Sequence, residues 1–165
     1  MRTFKSFYFC AILFSVAFAE ARTLNRESIL VSNQNKVMRP ASQWLEQEAS
    51  IAENLLFRNI SPSGTSAGVV IASPQNQNPN YYRHWTRDAG LTMDVVFRLS
   101  VRSKDFKKKF LLDDLLRDYA RFSRRNQLSA GLGEPIFEID GTPFLGPWGR
   151  PQNDGPAIRA YVLTQ

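Results

Sequence analysis

The sequence predicts an all-α fold interrupted by one small β-hairpin. Three observations carry this expectation. Apolar residues recur at helical spacing over 42–59, 86–100 and 105–127. Pro135-Ile136-Phe137-Glu138-Ile139, Asp140-Gly141 and Thr142-Pro143-Phe144 read as strand, tight turn and return. Asp154-Gly155-Pro156 then opens a fourth helical run, in which Asp154 suits an N-cap and Pro156 a first turn.

In chain order, residues 1–19 read as a secretory signal peptide. Arg2 and Lys5 precede an apolar run, Phe7 to Phe18, that is too short to span a bilayer. Small residues for cleavage stand at Ala17-Phe18-Ala19 and again at Ala19-Glu20-Ala21. Residues 20–40 read as a polar extension or propeptide, ended by Pro40. The folded part is expected over 41–165.

The first helix has Ser42 as its expected N-cap. Trp44, Glu48, Ile51 and Leu55, with Leu45, Ala52 and Leu56, recur at helical spacing and give one wide, mainly apolar face. Asn59-Ile60-Ser61 is an N-glycosylation sequon at its end, compatible with secretion. Ala67 to Ala72 reads as a short extended segment, and Ser73 to Asn80 as an Asn/Gln/Pro-rich loop. The third helix starts at Asp105. It carries Leu112, Leu115, Leu116, Tyr119 and Phe122 on one face, and Arg121, Arg124 and Arg125 near its C-terminal end, where cations are favoured. Its lysine run, Lys107 to Lys109, lies between Phe106 and Phe110 at helical spacing and reads as a solvated face. The fourth helix stops at Gln165 without a cap or breaker, as expected of a truncated sequence.

Composition narrows the chemistry. Of 165 residues, 43% are hydrophobic and 22% charged, as in a globular chain. Removing residues 1–19 leaves 19 basic against 15 acidic side chains, a balance of +4 that argues poorly for nucleic acid. The one cysteine, Cys10, lies in the leader, and His84 is the one histidine. Neither a metal centre nor a Ser-His-Asp triad is expected from that inventory, and no cofactor.

Two loops concentrate the chemistry-bearing side chains. Tyr81-Tyr82-Arg83-His84-Trp85-Thr86-Arg87-Asp88 empties into the second helix, and Trp148-Gly149-Arg150-Pro151-Gln152-Asn153-Asp154 into the fourth. An indole can lie on the C–H face of a sugar ring while Arg and Asp satisfy its hydroxyl rim. The plainer reading makes Asp88 a helix cap, Arg87 its ion-pair partner and the aromatics core.

The blocks Trp85-Thr86-Arg87-Asp88-Ala89-Gly90-Leu91, Gly131-Leu132-Gly133-Glu134-Pro135-Ile136-Phe137 and Gly146-Pro147-Trp148-Gly149-Arg150-Pro151-Gln152-Asn153-Asp154-Gly155-Pro156-Ala157 strongly resemble the N-terminal part of fungal-type glucoamylases, glycoside hydrolase family 15. The resemblance runs from about Ser42 to the end and includes Gly68 to Pro74. It implies part of an (α/α)6 toroid, whose active-site pocket is built from inter-helix loops at one end. It also implies metal-free hydrolysis of α-1,4 bonds, and more slowly α-1,6 bonds, from the non-reducing ends of starch-like glucans, releasing β-glucose with inversion.

Carried over by position, Trp85, Arg87 and Asp88 match the subsite for the terminal glucose, with Arg87 and Asp88 on its hydroxyls and Tyr81 beside its ring. Trp148 matches the tryptophan against the substrate across the scissile bond, with Arg150 and Gln152 beside it. The resemblance gives Arg83 and His84 no role. It puts the general acid in a Trp-Glu-Glu segment and the base further on, and neither segment occurs in these residues. Glu134, Glu138 and Asp140 are therefore expected to be structural. A monomer without a membrane anchor is expected, with α-glucan as its partner. Two other readings stand beside this one: a secreted carbohydrate-binding remnant without catalysis, and a helical scaffold for an acidic partner. For the chain by itself the expectation is no hydrolysis, with the faces of Leu55, Leu116 and Val96 partly uncovered.

Overall fold

The computed structural model describes residues 40–165. The expected signal peptide at 1–19 and all but the last residue of the expected extension at 20–40 lie outside them. Contacts divide the chain after Leu45, and residues 46–165 form one unit. Four helices and a two-residue strand pair make up the described part: α1 (Ala41–Arg58), β1 (His84–Trp85), α2 (Thr86–Arg102), α3 (Phe106–Ser129), β2 (Ile136–Phe137) and α4 (Asp154–Leu163). The all-α expectation with a small hairpin agrees with this. No described helix is long and apolar enough to cross a membrane.

Helix α3 begins where the sequence puts it. The Asp105 carboxylate accepts the Lys107 and Lys108 N–H groups at 2.8 and 3.3 Å, satisfying two donors that a helix start leaves open. Two expected caps differ in the structure. Ser42 lies within α1, which already starts at Ala41. Asp154 is the first residue of α4, with Asn153 flanking it. Its carboxylate accepts the N–H of Gly155 at 2.9 Å.

The core lies where α2 meets α3 and α4. Ala89, Met93 and Val96 of α2 are fully buried with Leu112 and Tyr119 of α3 and Val162 of α4. Val96, expected to be partly uncovered, has no exposure. The short α4 supplies the missing cover, because Val162 packs into the same cluster. Gly90 lets the two helices approach: a Cβ there would stand 2.7 Å from Ile158 Cγ2. Helix α1 differs. None of its residues is buried, Ile51 and Leu55 remain exposed, and only Leu56 and Phe57 pack against the core. The Lys108 ammonium of α3 holds Glu53 of α1 at 2.5 Å.

Between α1 and α2 the chain is stitched by strand pairing that has no periodic signature. Ile60 bridges Val70, and Ile71 bridges His84. His84 and Trp85 pair antiparallel with Phe137 and Ile136, and Phe137 bridges Pro143 across the hairpin. The hairpin closes through Glu138 N–H to Thr142 O at 2.8 Å and Gly141 N–H to Glu138 O at 2.9 Å. The stretch before α2, read from sequence as loop, therefore ends in a strand. Its two residues are both buried.

Candidate functional site

The site is built where β1 becomes α2. Thr86 fixes that junction to the segment before β2: its N–H donates to Pro135 O at 2.9 Å and its hydroxyl to Glu134 O at 3.1 Å. Trp85 is thereby held at the helix N-cap position with extended backbone. Its ring meets two others. Tyr81 lies 6.1 Å away between centroids, tilted by 48°. Trp148, from a loop about 60 residues later, meets it edge-on at 4.9 Å and 87°. Such geometry suits the ring quadrupoles. Trp85 is almost fully buried, whereas Trp148 is 47% exposed, so one indole supports the other and leaves an aromatic face open.

Arg87 crosses the same junction. Its Nη1 donates to Asp154 Oδ2 at 2.6 Å, joining the first turn of α2 to that of α4. Asp88 follows, in the first turn of α2, where the helix dipole favours an anion. Burial nevertheless pushes its carboxyl above the ordinary range, and the Arg87 charge only partly opposes this. Asp154 goes the other way. Desolvation acts to raise it, but the Arg87 bond and the Gly155 N–H prevail and hold it below the usual value. Arg87 thus stands between two acids of opposite tendency. Asp88 is not the helix cap of the plainer reading, because Trp85 occupies that position, and the ion-pair partner of Arg87 is Asp154.

The Trp148 loop is braced by Arg150. Its Nε meets Glu134 Oε2 at 2.6 Å. Nη1 donates to Gly146 O and Trp148 O at 3.1 and 3.3 Å, and Nη2 donates to Phe144 O. One guanidinium therefore fixes three carbonyls of a single loop. Gln152 closes the other side, its amide donating to Gly149 O at 3.2 Å and its backbone N–H to Gly133 O at 2.8 Å. Gly133 has φ +85°, and a Cβ there would stand 2.6 Å from Pro151, so the approach requires glycine.

The carboxylates near the hairpin are engaged as the sequence reading expects. Glu134 holds Arg150 and accepts the Ile136 N–H. Glu138 holds Arg83 at 3.0 Å, and that guanidinium covers the Phe144 ring at 4.4 Å. Asp140 accepts the Thr142 N–H and hydroxyl at 2.8 and 2.7 Å. His84 is a buried structural group. The Val70 N–H donates to its Nδ1 at 3.1 Å, and its pKa falls from 6.5 to about 3 through burial and the nearby Arg159 charge. Asn59 lies just past α1, half-buried, and the Ser61 hydroxyl of its sequon accepts the Gly68 N–H at 2.9 Å.

Sequence reasoning missed two partners, Asp154 for Arg87 and Glu134 for Arg150. Each carboxylate is 16 or more residues from its guanidinium, beyond any local pattern. The one available hint was that both acids, like the two arginines, belong to the motif blocks, each in a different block from the residue it holds.

Known proteins are similar to this chain over most of its length. The family model for glycosyl hydrolases family 15 matches residues 50–165. A glucoamylase of Blastobotrys adeninivorans is 41% identical over 132 residues, covering 75% of this chain and 21% of that protein. Glucoamylase 1 of Rhizopus oryzae is 40% identical over 126 residues, covering 74% and 20%. The solved Hormoconis resinae glucoamylase superposes with a TM-score of 0.68 at 34% identity, over 74% of this chain and 23% of that one. The chain thus spans about a fifth of the length of these curated relatives. With the family match over most of its length, the likeness in sequence and the likeness in fold, the chain belongs to the glycosyl hydrolases of family 15.

Proposed function

We propose that residues 81–88 and 148–152 form the glucose-binding subsite of an exo-acting, inverting α-glucosidase acting on α-1,4 and, more slowly, α-1,6 bonds of starch-like glucans. The observation that carries this reading is the meeting of the two loops: Trp148 on Trp85 at 4.9 Å, and Arg87 on Asp154 at 2.6 Å. An aromatic face, a guanidinium and a largely desolvated carboxyl then converge from two helix starts, which is what a ring with a hydroxyl rim needs. In this reading Arg87 and Asp88 bind hydroxyls of the terminal glucose and Tyr81 flanks its ring. Trp148 lies along the substrate, while Arg150 and Gln152 hold its loop in shape.

The proton donor and the general base lie outside this set. Inversion requires two carboxyls about 6.5–9.5 Å apart with a water between them. Glu134, Glu138, Asp140 and Asp154 are each committed to an arginine or to backbone donors. The order Arg2, Lys5, Phe7 to Phe18 supports entry to the secretory pathway, and a monomer is the expected state.

The test uses the full chain. Maltotriose should change the tryptophan fluorescence saturably in the millimolar range, and Trp148→Ala should abolish the change. Glucose release should be absent. No maltotriose response would refute the subsite. Release of β-glucose would show that the acid and base lie within these residues, against this placement. Binding without turnover also fits a non-catalytic remnant. That reading differs only in what the rest of the polypeptide holds, so a Trp-Glu-Glu segment in the transcript separates the two.

A further inference from the structure

A cleft of about 340 Å³ opens between the C-terminal end of α3, residues 130–134 and the first turns of α4. Of its lining residues Gly133 and Glu134 touch the loop that carries Trp148, and neither Asn126 nor Arg159 does, so a ligand held by those two does not rest on the glucan reading. Two polar side chains in its wall are out of balance. Asn126 is 1% exposed, and neither its amide nitrogen nor its oxygen has a hydrogen-bond partner among the described residues. Arg159 is 8% exposed and, among the described residues, forms no salt bridge.

We propose that this cleft is a carboxylate site, in which Arg159 and Asn126 together hold one carboxylate group, borne either by a free small acid or by an acidic residue of a polypeptide.

Three arguments carry it. A buried guanidinium without a counter-charge is costly, and a carboxylate is the partner its planar fork fits. A buried amide with unmet donors costs as much as the hydrogen bonds it lacks, and Nδ2 can donate to the same anion. The one acid in the lining cannot serve. Glu134 also lines the cleft, but its oxygens are occupied by Arg150 at 2.6 Å and by the Ile136 N–H at 3.2 Å. The other groups facing Arg159 add no negative charge: the Tyr119 phenol is pushed further toward its neutral form by burial, and His84 is held neutral. The volume admits a carboxylate with a few attached carbons.

The test titrates the 15N-labelled full chain with acetate and with N-acetylglutamate N-methylamide, using chloride and acetamide as controls. The Asn126 side-chain amide and the Arg159 Nε–H should move saturably with the carboxylates, and about tenfold more weakly with chloride. Tighter binding of acetate identifies a free acid as the occupant, and tighter binding of the glutamate derivative an acidic residue. Asn126→Asp puts a carboxylate in place permanently, so it should raise the melting temperature and remove the acetate response. Arg159→Met should remove the response as well. The proposal is overturned if acetamide or chloride moves these resonances as acetate does, if nothing moves, or if Asn126→Asp still binds acetate. A melting temperature unchanged or lowered by Asn126→Asp would count equally against it.

Discussion

Helices α1 and α2 have nearly the same length, 18 and 17 residues, and both are amphipathic in sequence. Their fates differ. Six residues of α2 are buried and none of α1. Periodicity announces that a helix has an apolar face, but what covers that face is decided by elements elsewhere in the chain. Helix α2 is covered by α3 and α4, and its first turn is tied to Pro135, Glu134 and Asp154. The candidate site stands on that covered helix, so its side chains inherit a rigid base. Helix α1 carries none of the candidate residues.

The sharpest way to break the comparison is to remove equal amounts of side chain from both helices. Met93→Ala empties a position with no exposure and should cost about 3 kcal/mol. Gly90→Val, which drives methyl groups into Ile158 where even a Cβ stands at 2.7 Å, should cost a similar amount and separate α2 from α4. Denaturant unfolding measures both. If Met93→Ala costs no more than truncations on α1, the two helices are equally uncovered in solution and the contrast fails.

A second test uses pH at the start of the covered helix. His84 has a folded pKa near 3 against 6.5 when unfolded. Below pH 6.5 the unfolded chain takes up a proton that the native chain refuses. Stability should therefore fall as pH drops from 6.5 toward 3, by about 1.4 kcal/mol per unit. His84→Gln keeps an acceptor for the Val70 N–H and cannot titrate, so its curve should be flatter over that window. Parallel curves for the two proteins would mean that His84 is not buried in solution.

These elements also show what could be read in advance. Helix α3 was legible because its start and its face are both local: Asp105 two and three residues before the donors it accepts, then Leu112, Leu115, Tyr119 and Phe122 at helical steps. The pairing of His84–Trp85 with Ile136–Phe137 was not, because two-residue strands have no period and their partners lie 53 and 51 residues apart. The cover over Val96 escaped for the same reason. The candidate sugar-binding residues other than Tyr81 belong to two of the three motif blocks. Their meeting depends on ion pairs such as Arg87 with Asp154, 67 residues apart, which no local rule produces.

The brace around Trp148 gives a third test, of intermediate size. Arg150→Ala removes the link to Glu134 and the donors to three carbonyls, and leaves the Glu134 carboxylate without its cation. A loss of about 1–2 kcal/mol is expected, because the pair is partly exposed. Trp148 emission should shift to the red as its loop loosens. Asp88→Asn should act in the opposite sense at neutral pH. The native state holds this carboxyl above its ordinary pKa, so ionisation as pH rises through that range opposes folding, and the neutral amide relieves the opposition. The variant should melt higher at pH 7 and bind maltotriose about tenfold more weakly, the trade expected of a residue kept for function. An Asp88→Asn protein that melts lower would mean that the carboxylate is a structural anchor.

The smallest expected effect belongs to α1. Ile51 and Leu55 are 44% and 54% exposed, so Ile51→Lys with Leu55→Lys removes little buried apolar area. Lysine is also the better helix former compared with isoleucine, and it equals leucine closely. The ion pair of Lys108 with Glu53 is left intact, because Glu53 is two residues from each position and i,i+2 side chains do not face each other on a helix. The unfolding free energy should stay within about 1 kcal/mol of the parent, while light scattering on heating should decrease, because two apolar side chains leave the surface. A loss of about 3 kcal/mol, the value expected for Met93→Ala, would show that the face of α1 is covered in solution after all. Sedimentation velocity would then identify the cover. If the parent sediments as a dimer and the double variant as a monomer, a second copy supplies what α3 and α4 supply to α2.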